Sequence, residues 1–258
     1  MNLQPYQLSA PAGLAVLVAL AFVFAIFVWR TRPSAASALR PIAAFEILKH
    51  VLSQAVEEAK PVHVSIGVAG AGAASTVDTT AGLYTLEFLA DRSAVSALPP
   101  IVTASDPTAL PLAQQQLARA FRREGYAEEY NPRQARWIAP AVNGSAVPYA
   151  AGVMDIVTHE RVMANVMVGS FGDEILLMSE PGAQRGLIQA GGTSSVQALP
   201  FVYTSISNPL IGEEIYAGGA YLSSRASHLS SLVAQDVMRW LVVGFLVVAI
   251  ILRTLGLI

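Results

Sequence analysis

The sequence predicts an α/β domain built on a mostly parallel sheet with Rossmann-like layering, flanked by an N-terminal and a C-terminal transmembrane helix. Three observations carry this. Short β-branched runs alternate with helix-length segments, the rhythm of a parallel sheet wrapped by helices. One such run, Met163 to Val168 (MANVMV), is almost wholly apolar, as a strand covered on both faces requires. Two uncharged apolar stretches, Gly13 to Trp29 and Trp240 to Leu252, bracket a charged, turn-rich middle.

Residues 1–12 read as an uncharged tail and 13–30 as the first membrane helix. Ala10 to Trp29 supplies the roughly 20 apolar residues that a span needs. A cleaved signal peptide would carry its charge before the apolar core; here Arg30 and Arg32 follow it, so an uncleaved anchor is expected. Residues 31–40 form a small-residue linker, 41–224 the soluble domain, and 225–258 a helix that enters and spans the membrane, with Arg253 snorkelling to the far interface. A helix lying in the interface is the alternative for this second segment. Arg30, Arg32, Arg40 and Lys49 flank the first helix on its inner side, and Arg225 and Arg239 precede the second. The positive-inside rule then places the domain in the cytoplasm and both termini outside.

Within the domain, Pro41 opens a helix whose apolar positions Ile42, Phe45, Leu48, Leu52 and Val56 recur at helical spacing up to Lys60. Val62 to Ile66 is a strand, Thr76 to Arg92 a helix, Ile101 to Ala104 a strand and Pro107 to Glu124 a helix. Tyr126 to Pro140 reads as loop. Val147 to Arg161 is a helix, Met163 to Val168 a strand, Asp173 to Ser179 a helix and Gly186 to Ala190 a strand. Phe201 to Thr204 is a further strand and Pro209 to Leu222 a helix. The first and last helices are expected to emerge from one side of the domain.

The net charge of -2 offers nothing to nucleic acid. The absence of cysteine excludes disulfides, thiolate metal sites and cysteine nucleophiles. His50, His63, His159 and His228 follow no metal-ligand spacing, so no metal is expected. There is no phosphate-loop signature and no nucleophile elbow, and no partner base accompanies Ser170. No catalytic residue and no cofactor are expected. Arg119, Arg122 and Arg123 make a solvated helix face or one that meets lipid or a partner.

Three glycine-rich turns follow strands: Gly67, Gly70 and Gly72; Gly169, Ser170 and Gly172; Gly191, Gly192 and Thr193. Ligands of open parallel sheets bind at the carboxyl ends of the strands, where glycine lets backbone N–H groups approach an anion. These nine residues are therefore the candidate site for a small anionic or nucleotide-like ligand. Tight strand-to-helix turns use glycine whatever they bind, and Gly67-x-x-Gly70-x-Gly72 is not the dinucleotide fingerprint.

Gly169-Ser170-Phe171-Gly172 with the run to Glu180, Gly191-Gly192-Thr193, and Asn208-Pro209-Leu210-Ile211-Gly212-Glu213-Glu214 leading to Ala217-Gly218-Gly219-Ala220-Tyr221 resemble an uncharacterised family of bacterial two-pass membrane proteins, known only as a domain of unknown function. The resemblance covers most of the chain. It implies a prokaryotic membrane protein and transfers no activity, cofactor or site.

The functional expectation is a membrane-anchored, non-catalytic scaffold or assembly protein. Its partners would be the lipid bilayer, further copies of itself and other membrane proteins. Ala21, Ala25, Gly244 and Ala249 are the small residues through which its membrane helices would pack. The alternatives are a membrane-tethered ligand-binding or sensor module using the glycine-rich strand ends, and an enzyme of unrecognised type.

Overall fold

The computed structural model describes residues 40–72, 75–96, 98–223 and 226–254, with Val18, Phe22, Ala25 and Ile26 as helical positions before them. The chain divides into two units: Arg40–Ser223, and Met1–Leu39 with Ser224–Ile258. Most of the expected tail, first membrane helix and linker lies outside the described residues, as do Ser224, Arg225 and residues 255–258.

The first unit begins with helix α1, Ala43–Glu57, which buries Phe45, Leu48, Val51, Leu52 and Ala55. Val56, expected on the inner face, is exposed, because Ala55 and Val51 occupy the stripe instead. Strand β1 (Val62–Gly67) follows, then α2 (Thr76–Ala94), β2 (Ile101–Ala104) and α3 (Ala109–Arg123). After β3 (Ala135–Trp137) come α4 (Val147–His159), β4 (Ala164–Ser170), α5 (Glu174–Gln184) and β5 (Ile188–Thr193). Helix α6 (Leu199–Ser205), strand β6 (Asn208–Ile211), a 3₁₀ segment (Gly212–Ala217) and α7 (Gly218–Ser223) complete the unit.

All strand pairs are parallel, in the order β3-β2-β1-β4-β5-β6. This is the doubly wound order in which direction of winding reverses between β1 and β4. Helices α1, α2 and α3 cover the face that carries Ile66; α4, α5 and α6 cover the other, where Tyr149, Met167, Phe171, Ile175, Met178 and Val202 form one apolar cluster.

Several expected elements are corrected. Phe201–Thr204 is helical, not extended. Pro200 sits in the first turn of α6, where its missing N–H costs nothing, and Val202 and Ile206, one turn apart, both point inward. The expected helix from Pro209 begins instead as β6, with Gly191 opposite Pro209 and Gly192 opposite Leu210. Proline is tolerated there because β6 is an edge strand. The expected loop Tyr126–Pro140 contains β3, a three-residue strand whose brevity hides it from periodicity. Helix α5 runs through Pro181 to Gln184 rather than ending at Ser179. Strand β4 extends through Gly169 and Ser170, and β5 through Gly191, Gly192 and Thr193, so these residues lie in the sheet and not in turns.

A polar row crosses the sheet interior on the α4–α5 face. Registration places His63 opposite Asn165 and Asn165 opposite Gln189. Asn165 Nδ2 donates to Gln189 Oε1 at 3.2 Å and to the Met178 carbonyl at 3.2 Å. Its Oδ1 is thereby left to accept from His63 Nδ1–H at 2.8 Å. His63 Nε2 then accepts from the Thr103 hydroxyl at 3.1 Å. The Tyr149 hydroxyl closes the row against Ser65 Oγ at 2.5 Å and the Thr103 carbonyl at 3.2 Å.

In the second unit, α8 spans Ala226–Thr254. Counted over the described residues, no helix is long and apolar enough to cross a membrane. The apolar run from Trp240 falls within α8, and Trp240, Val242, Val243, Leu246, Val247 and Ile250 are exposed, as are Val18, Phe22 and Ile26.

Candidate functional site

The carboxyl edge of the sheet gathers most of the glycine-rich residues, and its details follow from close main-chain packing. Gly67, the last residue of β1, has φ +95, and a Cβ there would run into the Ser170 carbonyl. Val68 N–H donates to that same carbonyl at 2.9 Å, and Ser105 N–H donates to the Gly67 carbonyl at 3.1 Å. Strands β1 and β4 therefore stay hydrogen-bonded past the point where a doubly wound sheet usually opens a crevice. A Cβ on Gly169 would likewise meet the Ile66 carbonyl.

The amides that would cradle an anion have partners inside the protein. Ala71 N–H donates to Thr108 Oγ1 at 2.8 Å and Gly72 N–H to Thr76 Oγ1 at 3.0 Å. Gly70 is buried against Asp106 and Thr108. Gly172 N–H donates to Glu174 Oε1 at 2.9 Å. Thr193 Oγ1 accepts from Phe171 N–H at 3.1 Å and donates back to its carbonyl at 3.2 Å, joining the ends of β4 and β5.

The structure thus brings Gly67, Gly169, Ser170 and Thr193 into one row along the edge, with Gly172 just beyond Phe171. Gly70 sits apart, against Asp106 and Thr108, and Gly72 follows it beside Thr76. Gly191 and Gly192 lie lower, inside β5, where a Cβ would strike the carbonyls of Met167 and Leu210.

The edge also holds a cluster that periodicity does not reveal. Asp78, in the first turn of α2 and 6% exposed, accepts from Ser194 Oγ at 2.9 and 2.8 Å and from the Tyr216 hydroxyl at 2.5 Å. Burial and the hydrogen bond to Asp78 raise the Tyr216 pKa above its ordinary value. The sequence signal was Ser75-x-x-Asp78, a capping-box spacing. Asp78 uses its carboxylate to hold loops instead of turning back on the cap. Asp106, Asp173, Glu174, Glu213 and Glu214 stand on the same edge, against Arg40 among the described residues. An anion approaching this edge meets carboxylates. Ser105, at the carboxyl end of β2, is 1% exposed, and its hydroxyl has no hydrogen-bond partner among the described residues.

The histidines divide as their surroundings dictate. His63 is fully buried, and burial lowers its pKa to about 4 against the opposing effect of the Asn165 hydrogen bond. Tyr149, equally buried, is pushed up to about 12, although Ser65 and Thr103 hydrogen bonds oppose that shift. Both therefore stand neutral at pH 7. His50 is exposed on α1, and His159 pairs with Asp155 at the exposed end of α4. Among the described residues, no group of three or more acidic or histidine side chains could hold a metal ion. Of the arginines on α3, Arg123 bonds Asp91 at 2.8 Å. Burial raises the Asp91 pKa, against the opposing charge of Arg123.

The chain belongs to the family described as Domain of unknown function (DUF6754), which matches residues 3–258. No curated protein and no solved structure matches it.

Proposed function

We propose that the protein is a membrane-anchored, non-catalytic assembly protein of prokaryotic type, whose α/β unit hangs from two membrane helices and self-associates. One observation supports this most. The chain arrives at the α/β unit and departs from it at neighbouring points: the Tyr221 hydroxyl donates to the Arg40 carbonyl at 2.6 Å, and the Tyr221 and Phe45 rings stack at 5.3 Å. A domain whose two connections lie side by side suits attachment to a single bilayer. The exposed apolar side chains of α8, with those of Val18, Phe22 and Ile26, are the surface such a bilayer would cover. Two anchors per domain confine copies to a plane and lower the entropic cost of lateral contact.

The cysteine-free chain makes the test direct. A single cysteine at Ala36 should resist a membrane-impermeant maleimide on intact cells and react after permeabilisation, which places the domain in the cytoplasm. Labelling of intact cells reverses the topology. The mass in mild detergent should be a multiple of the chain's, and Gly244→Leu with Ala249→Leu should reduce it. A strictly monomeric protein defeats the assembly reading.

A second reading, a tethered module that binds a small ligand at the glycine-rich edge, draws on Ser105, a buried hydroxyl at the carboxyl end of β2 with no hydrogen-bond partner among the described residues. Nucleotide that co-purifies with the protein and is lost in Ser105→Ala would favour it.

A further inference from the structure

The 3₁₀ segment Gly212–Ala217 bonds two places that the sequence keeps far apart and, through the second, a third. Near its start, Glu214 takes the Arg40 guanidinium on one carboxylate oxygen and the Ile211 N–H on the other, the latter at 3.0 Å. Arg40 is the residue where the chain joins the unit, and Tyr221 holds its carbonyl. Two residues after Glu214, the Tyr216 hydroxyl reaches Asp78, and Asp78 in turn holds Ser194 in the loop after β5. Between Glu214 and Tyr216, Ile215 is fully buried. Gly212, at φ +59, opens the segment, and Gly218 and Gly219 follow it.

This is the construction of a short lever. A 3₁₀ run of this length has poor internal hydrogen bonds and is held by what it touches. Glycines at its ends supply the backbone freedom of hinge positions. A buried Ile215 gives it a fixed point, with one polar contact on each side. We propose that Gly212–Ala217 couples the two chain crossings, at Arg40 and Tyr221, to the first turn of α2 and the loop after β5. Displacing one crossing from the other releases Glu214, tilts the segment about Ile215 and withdraws Tyr216 from Asp78. Asp78 then loses one of its hydrogen bonds, and the hold of α2 on the Ser194 loop weakens. The carboxyl edge is thereby made sensitive to the spacing of the flanking segments. The coupling rests on the reading that those segments are anchored, but it is measured inside the α/β unit, whereas anchoring is measured by the labelling experiment, so either can fail without the other.

Hydrogen exchange on the full chain in mild detergent tests it. Glu214→Gln keeps the side chain's shape and removes its charge. It should raise exchange several-fold at residues 40–46 and also at 76–82 and 193–198. Tyr216→Phe should raise exchange at 76–82 and 193–198 and leave 40–46 at the wild-type rate. The double variant should exceed Glu214→Gln very little at the two distant segments. If Glu214→Gln does not fold, Arg40→Gln, whose side chain is 75% exposed, cuts the same contact. Faster exchange confined to 40–46 in the Glu214 or Arg40 variant overturns the coupling. So does a Tyr216→Phe protein with wild-type exchange at both distant segments.

Discussion

The polar row inside the sheet and the polar cluster at its carboxyl edge are made of similar hydrogen bonds, yet they are built for opposite ends. The row joins strands to one another; His63, Asn165 and Gln189 are at most 1% exposed. Its members satisfy each other without a formal charge, which is the condition for a polar group to sit in such an interior. The cluster joins a helix start to two loops through a carboxylate, and water lies close by: Tyr216 is 38% exposed. Loss of a partner in the row leaves a buried group with nothing to replace it. Loss of a partner in the cluster admits solvent. The row therefore commits the sheet to one register, while the cluster leaves the edge adjustable.

The largest effect should come from the hub of the row. Asn165→Leu keeps the branched outline but adds bulk, strands His63 Nδ1–H and Gln189 Oε1, and removes the side-chain donor of the Met178 carbonyl. A destabilisation of about 4 kcal/mol is expected, read by denaturant unfolding of the full chain in mild detergent. A loss below about 1 kcal/mol would erase the distinction between row and cluster.

Next is the response to pH. Because His63 falls from 6.5 to about 4 on folding, the unfolded chain binds the extra proton between these values. The stabilising contribution is complete above pH 6.5 and is lost as pH drops toward 4, by about 3 kcal/mol in all. Tyr149 sets the opposite limit: its pKa rises from 10.0 to about 12, so its contribution is complete below pH 10 and is lost as pH climbs toward 12. Stability measured from pH 3 to 12 should show both declines. His63→Gln should flatten the acid limb and leave the alkaline one in place; an unchanged acid limb would show that other groups govern it.

The smallest effect belongs to the edge. Asp78→Asn removes a charge from the acceptor of two hydroxyls, Ser194 and Tyr216, yet solvent can take over part of its role. A cost of about 1–2 kcal/mol is expected, with no change in the pH limits set by the row. A cost equal to that of Asn165→Leu would mean that the edge is as rigid as the interior.

Much of the architecture was legible because it follows from local pattern. Strands β1, β2 and β4 declare themselves by β-branched and apolar runs, and α1 to α4 by apolar spacing, although Pro41 and Pro107, expected in the first turns of α1 and α3, stand just before those helices. What escaped is what depends on neighbours. Phe201–Thr204 has strand composition, but seven residues beside Pro200 pack better as a helix over β5 and β6. Asn208–Ile211 has a proline that argues against a strand until an edge position removes the objection. Gly191 and Gly192 resemble a turn in sequence and are strand residues in space, because the carbonyls of Met167 and Leu210 leave no room for a Cβ. At the candidate site, the glycines are legible in the sequence and the partners of their amides are not. Ser75-x-x-Asp78 was present, but nothing in the chain order points from Asp78 to Ser194 or Tyr216.

The α/β class, the parallel sheet and the apolar stretches on either side of it follow from composition and period along a few residues. Contacts across the fold are what close the crevice between β1 and β4 with main-chain hydrogen bonds, engage amides of the glycine-rich turns with Thr76, Thr108 and Glu174, and bring Arg40 to Tyr221. Those contacts join residues up to 181 positions apart. Hydrogen bonding and excluded volume act through space, and along the chain such pairs leave no mark.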